Sequence, residues 1–177
     1  MPALIALALS VGVLAVVDTW LYVSPLAATS LAGLVWISFI AWGCHFHSGG
    51  GSKGSTTTVV CMSWGALVGM VAVMLAGGVL SSLGTLALPV AVGLGAAVIC
   101  LSSAVGLLAT IPASVYGFAA IAGPIALAGV APEKAIVPVV LSIIIGAAFG
   151  FVSELVANAL TRKGDASAEA TADPEHV

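Results

Sequence analysis

Charge is what this sequence has least of. Its 177 residues include only four Lys or Arg and seven Asp or Glu, whereas about a quarter of a soluble domain is charged. A chain this poor in charge cannot cover a globular surface facing water. Without a basic cluster it also offers no footprint for nucleic acid. Cysteine is scarce as well: Cys44, Cys61 and Cys100 stand singly in apolar sequence, with no CxxC and no zinc-type spacing. That excludes a disulfide framework and leaves them as small apolar fillers at helix contacts. The net charge of −3 arises largely at the C-terminal end, where Asp165, Glu169, Asp173 and Glu175 outweigh Arg162 and Lys163.

What the chain does have is apolar length. Ala, Val, Leu, Ile and their kin make up 61% of it, and the mean hydropathy is +1.25. The first apolar stretch lacks a basic leader and a small-residue cleavage site, so it reads as a membrane span rather than a signal peptide. Spans of about 20 apolar residues recur at 3–23, 29–46, 56–77, 86–108, 112–130 and 135–160. The expected fold is therefore an all-α polytopic membrane protein of about six transmembrane helices over residues 1–162, followed by a disordered cytoplasmic tail at 163–177. With six spans, Lys53, Arg162 and Lys163 share a side and only Lys134 is opposite. The positive-inside rule then places both termini in the cytoplasm.

Small residues repeat between the two halves. Gly65, Gly69, Ala72 and Ala76 form one helical stripe in the third span, and Gly146, Gly150, Ser153 and Ala157 form the same stripe in the sixth at an offset of 81 residues. The local words GALVG and GAAFG agree, and Cys61 falls opposite Ser142. A looser version relates Ala8, Gly12, Ala15 and Thr19 to Gly93, Ala97, Cys100 and Ala104. Such stripes let helices approach closely in lipid, where packing rather than water drives association. Three spans per half is odd, so the halves are expected to be inverted, an architecture recurrent in transporters.

The densest chemistry is WISFIAWGCHFHSGGGSKGS, from Trp36 to Ser55. Together with the GALVG helix, the later IPASVYGFAA and the GAAFG helix, it resembles the bacterial inner-membrane family catalogued as domain of unknown function number 1097, over about residues 5–160. The resemblance implies an integral inner-membrane protein of several helices. It brings no substrate and no catalytic residue, and the CHFH histidines look like a local variation.

Within the spans an ionisable side chain costs about 2.5–3.5 kcal/mol when central, so each one needs a reason. Asp18 is either a proton or cation site lining a cavity or an interfacial carboxylate in a Trp20 and Tyr22 belt, and its nearness to the helix end favours the interface. Glu154 is expected to pair with Lys53 or Arg162, with a gate or proton acceptor as the alternative. Ser38, Trp42 and His45 share one sector of the second helix, with His47 rotated away. A metal set from Cys44, His45 and His47 lacks a completing ligand, and GGGSKGS lacks the GxxxxGK[ST] spacing of a phosphate loop. Its glycines instead suit tight re-entry or close approach to the other half. Gly123-Pro124 marks either a break in the fifth helix, which would make it a candidate solute site, or a harmless kink.

The functional expectation is a small-solute channel or secondary transporter. Its path runs along Ser38, Trp42, His45, Ser114, Tyr116, Gly123 and Pro124, with Asp18 and Glu154 as membrane ionisable groups and Gly65, Gly69, Gly146 and Gly150 as packing positions. The expected partners are the lipid bilayer, further copies of the chain and a small neutral or weakly ionised solute. No cofactor, metal or catalytic residue is expected, because no nucleophile, base and orienting group converge at recognisable spacing. The competing expectation is a non-transporting scaffold or accessory subunit that binds a membrane partner.

Overall fold

Helices α1 (Ala3–Val23), α2 (Val35–His47), α3 (Gly51–Gly77), α4 (Ala87–Ser102), α5 (Ile111–Ala128) and α6 (Pro132–Thr171) make up the protein. The structure is a computed structural model that describes the backbone of residues 1–171 and the side chains of residues 1–161. Of the tail expected at 163–177, residues 172–177 and the side chains from 162 onward lie outside the described residues. Over residues 163–171 the backbone continues α6 as helix. Among the described residues there is no strand. Five segments are long and apolar enough to cross a bilayer: α1, α3, the Ser81–Ser102 segment that contains α4, α5, and α6 as far as Thr161. Their outward side chains, among them Leu4, Val13, Val16, Trp20, Leu101 and Leu127, are exposed and apolar, as lipid contact requires. The chain is a multi-pass integral membrane protein.

Helix α2 is the exception. Its 13 residues span about 20 Å at 1.5 Å per residue, short of a hydrocarbon core of about 30 Å. It starts six residues later than the apolar composition suggests, because residues 24–34 form successive turns instead. Backbone bonds run from Ala27 to Ser24, from Thr29 to Leu26, from Ala32 to Thr29 and from Leu34 to Leu31, and Gly33 takes a φ of 77°. At the other end of α2, Gly49, Gly50 and Gly51 all have positive φ, a conformation open to glycine and costly for other residues. The turn they make is so tight that Ser52 to Ser55 already belong to α3. The fourth helix is shorter than its apolar run, closing at Ser102 before a 3-10 turn at Gly106–Leu108.

Of the two readings of Gly123-Pro124, the broken helix is not what forms. Helix α5 passes through Pro124 and ends at Gly129, whose left-handed backbone returns its N–H to the Pro124 carbonyl. The proline leaves the Ala120 carbonyl without its helical N–H donor, but the chain keeps helical geometry for four more residues before Gly129 closes it.

Contacts set the order of the bundle. The central pair is α3 and α6, with α4 and α5 packed on α3, and α1 and α2 packed on α6. Ser10 bonds the Ser153 carbonyl while Tyr22 faces Ser142, so α1 runs antiparallel to α6. Ser38 meets Gly146 and His45 meets Gly150, so α2 runs parallel to α6. Since the glycine turn reverses the chain, α3 is antiparallel to α6. Two crossings are drawn to backbone contact. A methyl group at Gly65 would overlap the Ser114 carbonyl, one at Gly146 would overlap the Ser38 carbonyl, and one at Gly117 would overlap the Met62 carbonyl. By contrast Gly12 and Gly93 have nothing within 4 Å of such a methyl, and the rows containing them lie largely on the exposed faces of α1 and α4. The buried row of α1 is instead Ala6, Ser10, Asp18 and Tyr22, and that of α4 is Ala87, Ala91, Gly95 and Ile99.

Candidate functional site

The glycine turn carries the first polar cluster. No side chain of the turn caps α3, so the first N–H groups of a long helix need acceptors from elsewhere. Glu154 of α6 supplies one: its Oε2 accepts the Gly51 N–H at 2.6 Å and stands 3.2 Å from His45 Nε2. Ser55 Oγ lies 3.1 Å from His45 Nδ1. A neutral His45 satisfies both contacts if Ser55 donates to Nδ1 and Nε2–H donates to Glu154. The carboxylate also lies at the positive end of the α3 dipole. Glu154 thus meets His45 and the Gly51 amide rather than Lys53, and the Arg162 side chain lies outside the described residues. His45 is fully buried, and a methyl at Gly54 would stand 2.7 Å from its carbonyl, so α3 can approach here only as glycine.

One turn further into the bundle, Trp42 Nε1–H donates to Ser153 Oγ at 3.0 Å, Ser153 Oγ donates to the Gly150 carbonyl at 2.7 Å, and Ser10 Oγ donates to the Ser153 carbonyl at 2.7 Å. This ties α1, α2 and α6 together at one level. Trp42 is also the midpoint of an aromatic row, 5.9 Å from Phe39 and 5.6 Å from Phe149 between ring centroids. Polar contacts between membrane helices contribute about 0.6 kcal/mol on average and about 1.7 at most. Ser153→Ala is therefore expected to lower stability by about 1 kcal/mol, read as an earlier unfolding midpoint in a denaturant titration of the micellar protein. A change near zero would show that Trp42 is held by its ring contacts alone.

Towards the opposite end, Asp18 is completely buried. It faces into the bundle rather than outward into an aromatic belt. Trp20 is 57% exposed, whereas Tyr22, one helical turn beyond Asp18, is buried with it. Ser38 of α2 faces Asp18, and both Ser38 and Ser142 of α6 face Tyr22. Neither oxygen of Asp18 and none of the three hydroxyls has a hydrogen-bond partner among the described residues.

The remaining path residues are not gathered onto one wall. Ser38, Trp42 and His45 face α6. Ser114 is buried against Gly65 of α3, and its hydroxyl is also without a partner. Tyr116 packs edge-on against His47 at 5.9 Å. Gly123 and Pro124 line an apolar groove of about 520 Å³ shared with Trp36, Ile40, Leu127 and Lys134, between the approach to α2, the end of α5 and the start of α6. Cys44, His45 and His47 diverge: Cys44 Sγ lies 3.8 Å from Ser48 Oγ, His45 points to Glu154 and His47 to Tyr116.

Ser10, Ser55 and the inward-facing Tyr22 are the participants that sequence reasoning missed. A signal for them existed. Ala6, Ser10, Asp18 and Tyr22 share one face at multiples of four residues, so the polar members mark the buried side of an otherwise uniformly apolar helix.

Comparison with known proteins gives one match: the family described as "Protein of unknown function (DUF1097)" covers residues 8–158. No curated protein and no solved structure matches the chain.

Proposed function

Since the chain belongs to that family, whose description assigns no activity, we propose from its own geometry that it is a small-solute channel or secondary transporter. It would work in a bacterial inner membrane, with both termini cytoplasmic. The observation that carries this reading is the pairing of crossings. Gly65 on Ser114 and Gly69 on Ile121 have their counterparts in Gly146 on Ser38 and Gly150 on His45. Adding 81 residues converts each α3 position into the α6 one, and adding 76 converts each α2 position into the α5 one. The two central helices run in opposite directions, as inverted halves demand. In such architectures solutes pass near the midplane where the halves meet, and here that region holds the unpartnered hydroxyls of Ser38, Ser114 and Ser142. The apolar groove at Gly123 and Pro124 serves as the mouth, and its lining suits a neutral or weakly ionised solute.

Proteoliposomes containing the purified chain are expected to show flux of a small neutral solute or a weak acid. Gly123→Trp tests the path directly, because nothing lies within 4 Å of a methyl at Gly123 and the indole is left to fill the groove. Flux should fall severalfold in this variant while thermal stability stays near that of the parent. His45→Ala placed beside it asks whether the far end of the path matters. Absence of flux for every solute, from protein shown to be folded and inserted, would remove the reading.

One observation favours the scaffold alternative and equally the assembly of several copies. The exposed faces of α1 and α4 carry Ala8, Gly12, Thr19, Gly93, Ala97 and Cys100, small residues open to another helix. Co-purification of a second membrane protein with a chain that conducts nothing would support the scaffold. Crosslinking of two chains through the exposed Cys100 would support a homo-oligomer.

A further inference from the structure

We infer that Asp18, Tyr22, Ser38 and Ser142 form a binding site for one monovalent alkali cation of the sodium type, between α1, α2 and α6. The inference goes beyond the transport reading and stands on the local chemistry alone.

An ionised carboxylate in a low-dielectric interior requires a compensating charge, and the neighbouring helices offer none. On α1 the other titratable group of the cluster is Tyr22. On α2, His45 is engaged with Glu154 and Ser55 about two turns from Ser38, and His47 is exposed. On α6, Glu133 and Lys134 are exposed at the helix start, about two turns before Ser142, and Glu154 lies beyond Ser153 at the glycine turn.

The donor set then selects the ion. One carboxylate and three hydroxyls are hard oxygen ligands, with no thiolate or imidazole among them, and such ligands suit hard cations. With a single carboxylate the site carries one negative charge. A divalent ion would leave one uncompensated positive charge in a membrane interior, whereas a monovalent ion closes the balance. A proton on Asp18 would also neutralise it, but would give at most one new hydrogen bond and leave most of the cluster unsatisfied. An ion held in common engages the lone pairs of all four groups. Ser38 lies near both Asp18 and Tyr22, and Ser142 near Tyr22, yet none of their oxygens meets hydrogen-bond geometry with a partner among the described residues, so each keeps lone pairs for a shared ion. The equivalent register of the other half, Cys61 and Ser114, has the hydroxyl and a thiol; the charged, hydroxyl-rich version is built once.

The test is sodium binding by the full chain in detergent micelles, at constant ionic strength with choline chloride replacing sodium chloride. Wild-type protein is expected to bind ²²Na⁺ saturably and to melt at progressively higher temperature as sodium rises, since a ligand that binds only the folded state stabilises it. Asp18→Asn should lose both effects. Ser142→Ala, which removes one hydroxyl and disturbs folding least, should raise the half-saturating sodium concentration about tenfold; it carries the test if the Asp18 variant does not fold. A wild-type protein whose melting ignores sodium but follows pH, in a manner abolished by Asp18→Asn, would make Asp18 a proton site and overturn the proposal. Sodium dependence that survives in both variants would place the ion elsewhere and overturn it equally. Binding in micelles needs no gradient, so a failed flux assay leaves this inference intact, and a failed binding assay leaves flux intact.

Discussion

Alanine at Gly65 or Gly146 is expected to destabilise the protein by about 3 kcal/mol, and leucine at either position to prevent folding. Two effects oppose each other here. Replacing glycine by alanine inside a helix favours the helical state by about 1 kcal/mol. Overpacking a close contact costs about 1–3 kcal/mol, occasionally more. The second wins because the obstacle is backbone: the Ser114 and Ser38 carbonyls belong to rigid helices and cannot turn aside as a side chain does. Relief would require α5 to leave α3, or α2 to leave α6, which would also draw apart Trp42 from Ser153 and His45 from Glu154. Gly12→Ala and Gly93→Ala are the internal controls. With no atom near the added methyl they should be neutral or stabilising by up to about 1 kcal/mol. Unfolding of the four variants in detergent by a graded denaturant gives the comparison. If Gly65→Ala and Gly146→Ala proved as stable as the controls, the close crossings would not be what holds the halves together.

Those controls also show why part of the fold was legible in the sequence and part was not. In water a helix reveals its buried face by hydrophobicity; in lipid both faces are apolar and that contrast is gone. What remains is size and polarity. The rows through Gly65 and Gly146 could be read because glycine at helical spacing has a packing meaning. On α1 the same criterion selected Ala8, Gly12, Ala15 and Thr19, which lie mainly on the exposed side, while the polar row through Ser10, Asp18 and Tyr22 faces inward. Polarity was the stronger guide there, since an unpaired carboxylate has more to lose in lipid than a small apolar residue has to gain from packing.

The ends of α2 were hidden for a different reason. Residues 29–34 run without a break into the apolar stretch that follows, yet they form turns with Gly33 at a φ of 77°, a backbone property that residue type permits without demanding. The triple glycine was visible as a corner, but its tightness depends on three successive positive φ values that only the fold reveals. Partners across the bundle were the least accessible: nothing local links Glu154 to Gly51, 103 residues away. Lys53 and Arg162, basic residues expected on the same side of the membrane, therefore looked like better partners than the amide and imidazole that the fold provides.

That junction is where the second large effect is expected. Glu154→Ala should lower stability by about 3 kcal/mol and Glu154→Gln by about 1. Alanine removes an acceptor from the first turn of α3, the equivalent of a lost N-cap at about 0.5–2 kcal/mol. It also leaves His45, fully buried, with Nε2 unpartnered at a further cost of about 1–3 kcal/mol. Glutamine retains an oxygen for the Gly51 N–H or the imidazole and loses only the charge. Because the Glu154 side chain is 33% exposed, its interaction with the helix dipole is partly screened and belongs at the low end of about 0.3–1 kcal/mol. The ordering of the two variants is therefore the sensitive readout. Equal losses would mean that charge, not hydrogen bonding, governs the corner. Adding His45→Phe closes a double-mutant cycle, and groups in direct contact should couple by at least about 0.5 kcal/mol. Strict additivity would show that the 3.2 Å approach of Nε2 to Oε2 contributes nothing, and that Glu154 acts on α3 alone.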